Sequence, residues 1–260
     1  MLPLFSFVQP PKPKLLKTAA KISADAAFHV LGKQLLAAAC YGDLEVVIEL
    51  IGDGADVNYA PERGALTVLS MAAAKCRLPV VEALISRGAN INKYSGQALI
   101  SALEGAKASG STRFNMSCVS ALIEAKANLN LCNRFAGALQ ETVYSDFPDA
   151  ILPLHKAGAD LEVCTDTGCT ALMSAAFLGR FQCFKVLHSC GARLDATSNH
   201  GATIAQLLKA EFSHCPEEDV PGIPGGRALI QAYLQGLPAA DVTVATLAAG
   251  SGDIDLLMRP

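Results

Sequence analysis

The chain has 260 residues, 51% of them hydrophobic and 17% charged, with 43 Ala, 34 Leu and no Trp. Its mean hydropathy is +0.32, yet no run of eighteen apolar residues occurs, so neither a transmembrane helix nor a disordered chain is expected. With 21 basic against 24 acidic residues, the net charge of −3 removes the broad electrostatic case for nucleic-acid binding.

In chain order, Met1 to Val8 lack the basic flank and full apolar core of a signal peptide, and residues 1–14 are rich in Pro and Lys. A helix is expected from Leu15 to His29. Lys14, Lys17 and Lys21 share one face of it, opposite Leu15, Leu16, Ala19 and Ile22. That face suits either a solvated cap or a membrane-surface element, and the cap is favoured. Leu35 to Asp43 then opens a small-residue helical pattern that returns at Ala72-Ala73 and Ala175-Ala176. Between these helices a pentapeptide recurs: Gly54-Ala55-Asp56-Val57-Asn58, Gly88-Ala89-Asn90-Ile91-Asn92, Lys126-Ala127-Asn128-Leu129-Asn130, Gly158-Ala159-Asp160-Leu161-Glu162 and Gly191-Ala192-Arg193-Leu194-Asp195. The spacings are 34, 38, 32 and 33 residues. Such a period reads as a solenoid, because no single unit could bury its own apolar ladder.

These residues resemble the ankyrin repeat family. Thr170-Ala171-Leu172-Met173-Ser174-Ala175-Ala176-Phe177-Leu178-Gly179 lies on that family's TPLHxAAxxG motif, and Thr67-Val68-Leu69-Ser70-Met71-Ala72-Ala73 follows it too. The resemblance implies an all-α solenoid of helix-turn-helix repeats, with β-hairpin-like fingers and atypical capping repeats. After the segment 1–14 it implies one solenoid over 15–260. The repeats fall near 15–58, 59–92, 93–130, 131–162, 163–195 and 196–242, with an insert at 212–226 and a partial cap at 243–260.

Departures from the pattern are part of the expectation. Cys76 and Asp146 stand at the helix–helix turn where the family has Gly, and the motif's histidine is replaced by Ser70, Ile100, Gln140, Met173 and Gln206. The third repeat has a short finger at Lys93-Tyr94-Ser95-Gly96 and gains residues around Lys107 to Arg113.

Functionally, the resemblance implies a non-enzymatic module that binds a protein partner through a concave face of finger tips and first helices. Tyr and Arg often anchor interfaces. The expected partner-binding residues are Tyr59, Arg63, Tyr94, Arg134, Phe135 and Asp166 on the fingers, with Met71 and Phe177 on the helices. A bacterial effector or inhibitor-type adaptor fits the composition. The alternatives are a membrane-peripheral adaptor anchored by residues 11–24, and an enzyme with its site in the 212–226 insert or in a region beyond this chain.

No catalytic, metal or cofactor site is expected, and no small-molecule substrate. Gly105 to Thr112 only superficially resembles a phosphate loop, since Ser111 replaces the needed lysine. Cys183, His188, Cys190, His200 and His214-Cys215 lack the paired spacing of a zinc site, and Cys183 falls on a core position. Nine cysteines, an odd number without a CxxC pair, point to a reducing compartment. A cytoplasmic location is expected, or a host cytosol if the chain is a secreted effector.

Overall fold

The computed structural model describes residues 24–62, 65–108, 116–132, 137–209 and 225–236. Among these, twelve helices alternate between two layers. The first layer holds α1 (Ala24–Tyr41), α3 (Val68–Ala74), α5 (Lys93–Ala108), α7 (Ala138–Tyr144), α9 (Ala171–Leu178) and α11 (Ile204–Lys209), each packed on the next. The second holds α2 (Leu44–Gly52), α4 (Leu78–Ser86), α6 (Ser117–Glu124), α8 (Ile151–Lys156), α10 (Phe181–Ser189) and α12 (Gly226–Leu234). The chain is thus an all-α ankyrin-type solenoid. Its described fingers make only isolated antiparallel bridges, Cys132 with Gly137, Cys164 with Thr170 and Thr197 with Thr203.

Most of these helices are too short to persist alone in water, so packing must hold them. One continuous core runs from Leu35, Val47 and Leu50 through Leu103 and Phe147 to Phe184, Ile204 and Ile230. The paired alanines of the first helices are at most 1% exposed at positions 38, 39, 72, 73, 175 and 176. Their small side chains bring neighbouring backbones together. At Gly105 the approach is closer still: a methyl group there would run into the carbonyl of Ala74.

Local chemistry sets the helix starts. Thr67 and Thr170 cap α3 and α9 by accepting from the amides of Ser70 (3.1 Å) and Met173 (3.3 Å). Three of the five residues that replace the motif's histidine make polar contacts at the helix start. Ser70 Oγ lies 2.9 Å from Thr67 Oγ1, Gln140 Oε1 accepts from the Gly137 amide at 3.2 Å, and Gln206 Oε1 accepts from the Thr203 amide at 2.8 Å. Gln140 thus satisfies the amide of Gly137 itself, the reciprocal half of a capping box, at a helix start whose capping residue has no side-chain oxygen.

The helix–helix turns require a left-handed residue. Gly42 (φ +82°) and Gly179 (φ +67°) provide it freely, whereas Cys76 (φ +54°) and Asp146 (φ +51°) adopt it as side-chain-bearing residues. Lys126 (φ +64°) does the same after α6.

Two features differ from the pattern read off the sequence. The helix ending at Tyr41 is one piece from Ala24, so the expected cap helix and the first repeat helix are continuous there; residues 15–23 lie outside the described residues. The short third finger is a run of left-handed residues, Tyr94, Ser95 and Gly96 (φ 52°, 57° and 73°), leading directly into α5.

Candidate functional site

The fingers are positioned by a ladder of side-chain acceptors in the recurring pentapeptides. The third residue of each ties its own turn: Asp56, Asn90, Asn128 and Asp160 accept from amides two residues on, at 2.9, 3.1, 3.0 and 2.9 Å. The fifth residue reaches the next repeat. Asn58 accepts from the Asn90 amide (2.6 Å), Asn92 from Asn128 (2.9 Å), Asn130 from Asp160 (2.8 Å) and Glu162 from Arg193 (2.9 Å). The amide-bearing residues are thus tied both within and between repeats. At the fifth pentapeptide the pattern changes, and Asp195 instead pairs with Arg193 at 3.0 Å on the surface.

The first-helix row is open in its middle and closed toward its end. Met71, Lys75 and Tyr144 are half-buried and Glu104 is exposed, whereas all eight residues of α9 are buried. Ser101 of α5 is buried as well. Glu141 is nearly buried and accepts from the Ser145 hydroxyl at 2.6 Å. Although the residue is exposed, partial desolvation by its neighbours raises the Glu104 pKa above the ordinary carboxylate value.

The expected binding residues divide accordingly. Tyr94 is half-buried on its left-handed turn, with the Lys93 ammonium 5.2 Å from its ring centroid, and Lys93 Nζ donates to the Asn58 carbonyl at 2.6 Å. Asp166 is exposed, and its carbonyl accepts from Asn199 Nδ2 at 2.9 Å. Arg63, Arg134 and Phe135 lie outside the described residues. So do the insert from 212 to 224 and residues 11–23 of the basic segment.

Two expected surface residues are internal. Tyr59 is 1% exposed. Its ring fills a notch opened by the missing side chain of Gly32, edge-on to Phe28 at 5.7 Å and His29 at 6.1 Å, and its hydroxyl has no hydrogen-bond partner. It closes the first repeat rather than facing a groove. Phe177 is 8% exposed because Arg227 lies across it, the guanidinium carbon 4.9 Å from the ring centroid and Nε donating to the Phe177 carbonyl at 2.6 Å. That arginine arrives fifty residues later in the chain, on α12, and Phe177 serves the junction between repeats five and six.

Glu104, Tyr144 and Arg227 are the residues that sequence reading passed over. Glu104 and Tyr144 occupy the same place in their repeats as Phe177, seven residues after the helix-capping position, so the repeat alignment held the signal for both.

The thiols behave as core groups. Burial pushes Cys118 up to about 11 and Cys183 up to about 12, and both are fully enclosed. Such thiols stay protonated and poorly nucleophilic. No group of three or more His, Cys, Asp and Glu among the described residues could hold a metal ion.

Comparison with known families settles the architecture. A family model of three ankyrin repeats matches residues 35–131, and a model of a single ankyrin repeat matches residues 167–199. The chain belongs to the ankyrin repeat family. No curated protein matches it. Ankyrin repeats are generally protein–protein interaction modules and typically non-enzymatic. The structure fills the interval between the matches with another ankyrin unit, α7 and α8, despite Gly137 in place of the capping Thr and Asp146 in place of the turn Gly.

Proposed function

We propose that this ankyrin solenoid holds one protein partner against its fingers and first helices, with the contact centred on repeats two to four. The supporting observation is the uneven first-helix row: Met71, Glu104 and Tyr144 remain accessible in α3, α5 and α7, whereas α9 offers no exposed side chain. The left-handed turn at Tyr94 and Ser95 supports the same region. Side-chain-bearing residues in that conformation cost on the order of 1 kcal/mol each, and such strain clusters at functional sites. Tyr94 is the proposed aromatic anchor, and Glu104 is the proposed partner for a basic side chain of the bound protein. The module acts as an adaptor or inhibitor, by occupying its partner, in a reducing cytosol.

The test is affinity capture from a cell lysate with mass spectrometry, comparing the wild type with the combined Met71→Ala, Tyr94→Ala, Glu104→Gln variant. Circular dichroism verifies that helicity is unchanged. A prey protein captured by the wild type and lost from the variant is the expected result. Full retention of that prey by the folded variant would refute the placement of the site.

A further inference from the structure

We propose that Cys76 and Cys118 form a reversible disulfide under peroxide, a covalent tie between the second and third repeats. The inference starts from the turn between the two helices of a repeat. Cys76 takes the left-handed conformation there at φ +54°, where Gly42 and Gly179 do so without a side chain. A side chain in that conformation is unfavourable and persists only where its surroundings hold it.

What the turn residue meets is the second helix of the next repeat. Counting back eight places from the start of each recurring pentapeptide gives Val46, Val80, Cys118, Ala150 and Cys183. Cys183 faces the turn of the fourth repeat, its Sγ 3.8 Å from Asp146 Oδ1. The sixth repeat makes the same kind of approach, since a methyl group on Gly226 would run into the backbone of Gly179. In the third repeat the residue at this place is Cys118, and the turn before it carries Cys76. Among the described residues the equivalent pairs are Gly42 with Val80, Asp146 with Cys183 and Gly179 with Gly226, so this junction alone sets two sulfurs against each other.

Two further observations agree. Burial raises the Cys118 pKa to about 11, and Cys76 is the first charged neighbour that adds to the rise, ahead of Glu82. The two thiols therefore lie near each other. A disulfide joins Cβ atoms about 3.5–4.5 Å apart. The approach at Gly226 shows that such a junction permits this, because a Cβ there would stand 3.1 Å from the Gly179 Cα.

The oxidant is hydrogen peroxide. Cys76 reacts first: it is half-buried where Cys118 is fully enclosed, and the adjacent Arg77 offsets part of the burial that raises its pKa. Its thiolate attacks one peroxide oxygen. The S–O bond forms as the O–O bond breaks, and the departing hydroxide takes up the thiol's proton as water. The Cys118 sulfur then attacks the sulfenic sulfur, the S–S bond forms, and hydroxide leaves with the Cys118 proton as a second water. Two thiols are oxidised and one peroxide is reduced to two waters. Cys118 is a weak nucleophile by its pKa, and its fixed place against Cys76 offsets that. Exchange with small cytosolic thiols reverses the bond.

Peptide mapping of the full chain without reduction, after incubation with hydrogen peroxide and alkylation of the remaining thiols, tests this. The expected product is a Cys76–Cys118 linked peptide pair, lighter than its parts by two hydrogens, in monomeric chains and removed by dithiothreitol. The amides of α3 and α6 should then exchange at least about tenfold more slowly than in the reduced chain, with α9 and α10 unchanged. Cys76→Gly, which restores the residue of the Gly42 and Gly179 turns, and Cys118→Val, which copies Val80, should each abolish the link and the slowing while circular dichroism stays that of the wild type. Recovery of Cys76 and Cys118 as separate alkylated thiols, while the exposed Cys164 is oxidised in the same sample, overturns the proposal. So does a link that forms only in urea, a link of either cysteine to another sulfur, or a link that leaves exchange in α3 and α6 unchanged.

Discussion

Replacing Tyr59 by Phe and by Ala separates two roles for a residue whose sequence position suggests surface contact. The ring is 1% exposed and lies in the notch at Gly32, so Tyr59→Ala leaves a cavity between α1 and the finger of the first repeat. Removing a fully buried aromatic ring costs about 3–5 kcal/mol. The hydroxyl is buried without a partner, a state that costs roughly 1–3 kcal/mol, so Tyr59→Phe removes a penalty and no bond. The expected outcome is a Phe variant as stable as the wild type, or more stable by up to about 1 kcal/mol. The Ala variant should be strongly destabilised, first in α1 and α2, because a solenoid loses its units locally. Urea unfolding followed by circular dichroism gives the stabilities, and amide exchange gives the location. A loss of more than about 1 kcal/mol in Tyr59→Phe would show that the hydroxyl is held after all. An Ala variant of unchanged stability that fails to capture a partner would return the ring to the surface.

Other outcomes follow from the same packing. Asn92→Ala removes the acceptor that ties the third repeat to the second through the Asn128 amide, and should cost about 1 kcal/mol in urea unfolding. Gly105→Ala drives a methyl group into the Ala74 carbonyl and should cost about 1–3 kcal/mol, with faster amide exchange in α3 and α5. Lys126→Gly relieves a left-handed lysine on the surface and should raise stability by up to about 1 kcal/mol. Cys183 has its folded pKa raised from 9.0 to about 12, so the folded chain holds a proton that the unfolded chain releases. Its contribution is complete below pH 9 and declines as pH rises toward 12. Cys183→Val should therefore flatten the fall of stability between pH 8 and pH 11 relative to the wild type, as read by urea unfolding at each pH.

The architecture was legible because its signals are local and repeated. Ala72-Ala73 and Ala175-Ala176 mark close packing in any copy, and Cys76 and Asp146 could be assigned to the turn simply by counting from the helix start. The orientation of single finger side chains was not legible in that way. Tyr59 turns inward because Gly32, twenty-seven residues earlier on α1, leaves room for its ring, and no local pattern connects the two. Phe177 occupies a groove position by alignment but is covered by Arg227, which reaches it only after an intervening insert. The acceptor ladder was present in the recurring pentapeptides as an unbroken series of Asn, Asp and Glu at the fifth place. Its meaning depends on how far apart successive repeats sit, a distance that spacing along the chain does not contain.

The ladder also gives the array a direction. Each of the first four pentapeptides carries an acceptor for the unit after it, and the second to fifth each present an amide to the unit before, so a segment cut from one pentapeptide to the next and duplicated would bring both halves of its own attachment. Growth by copying needs no new joint. The series stops where Asp195 folds back on Arg193. At that seam the sixth unit is joined by other means, the Asn199 side chain to the Asp166 carbonyl, the Tyr233 hydroxyl to the His188 ring and Arg227 across Phe177, so a unit copied from there would need a joint of another kind.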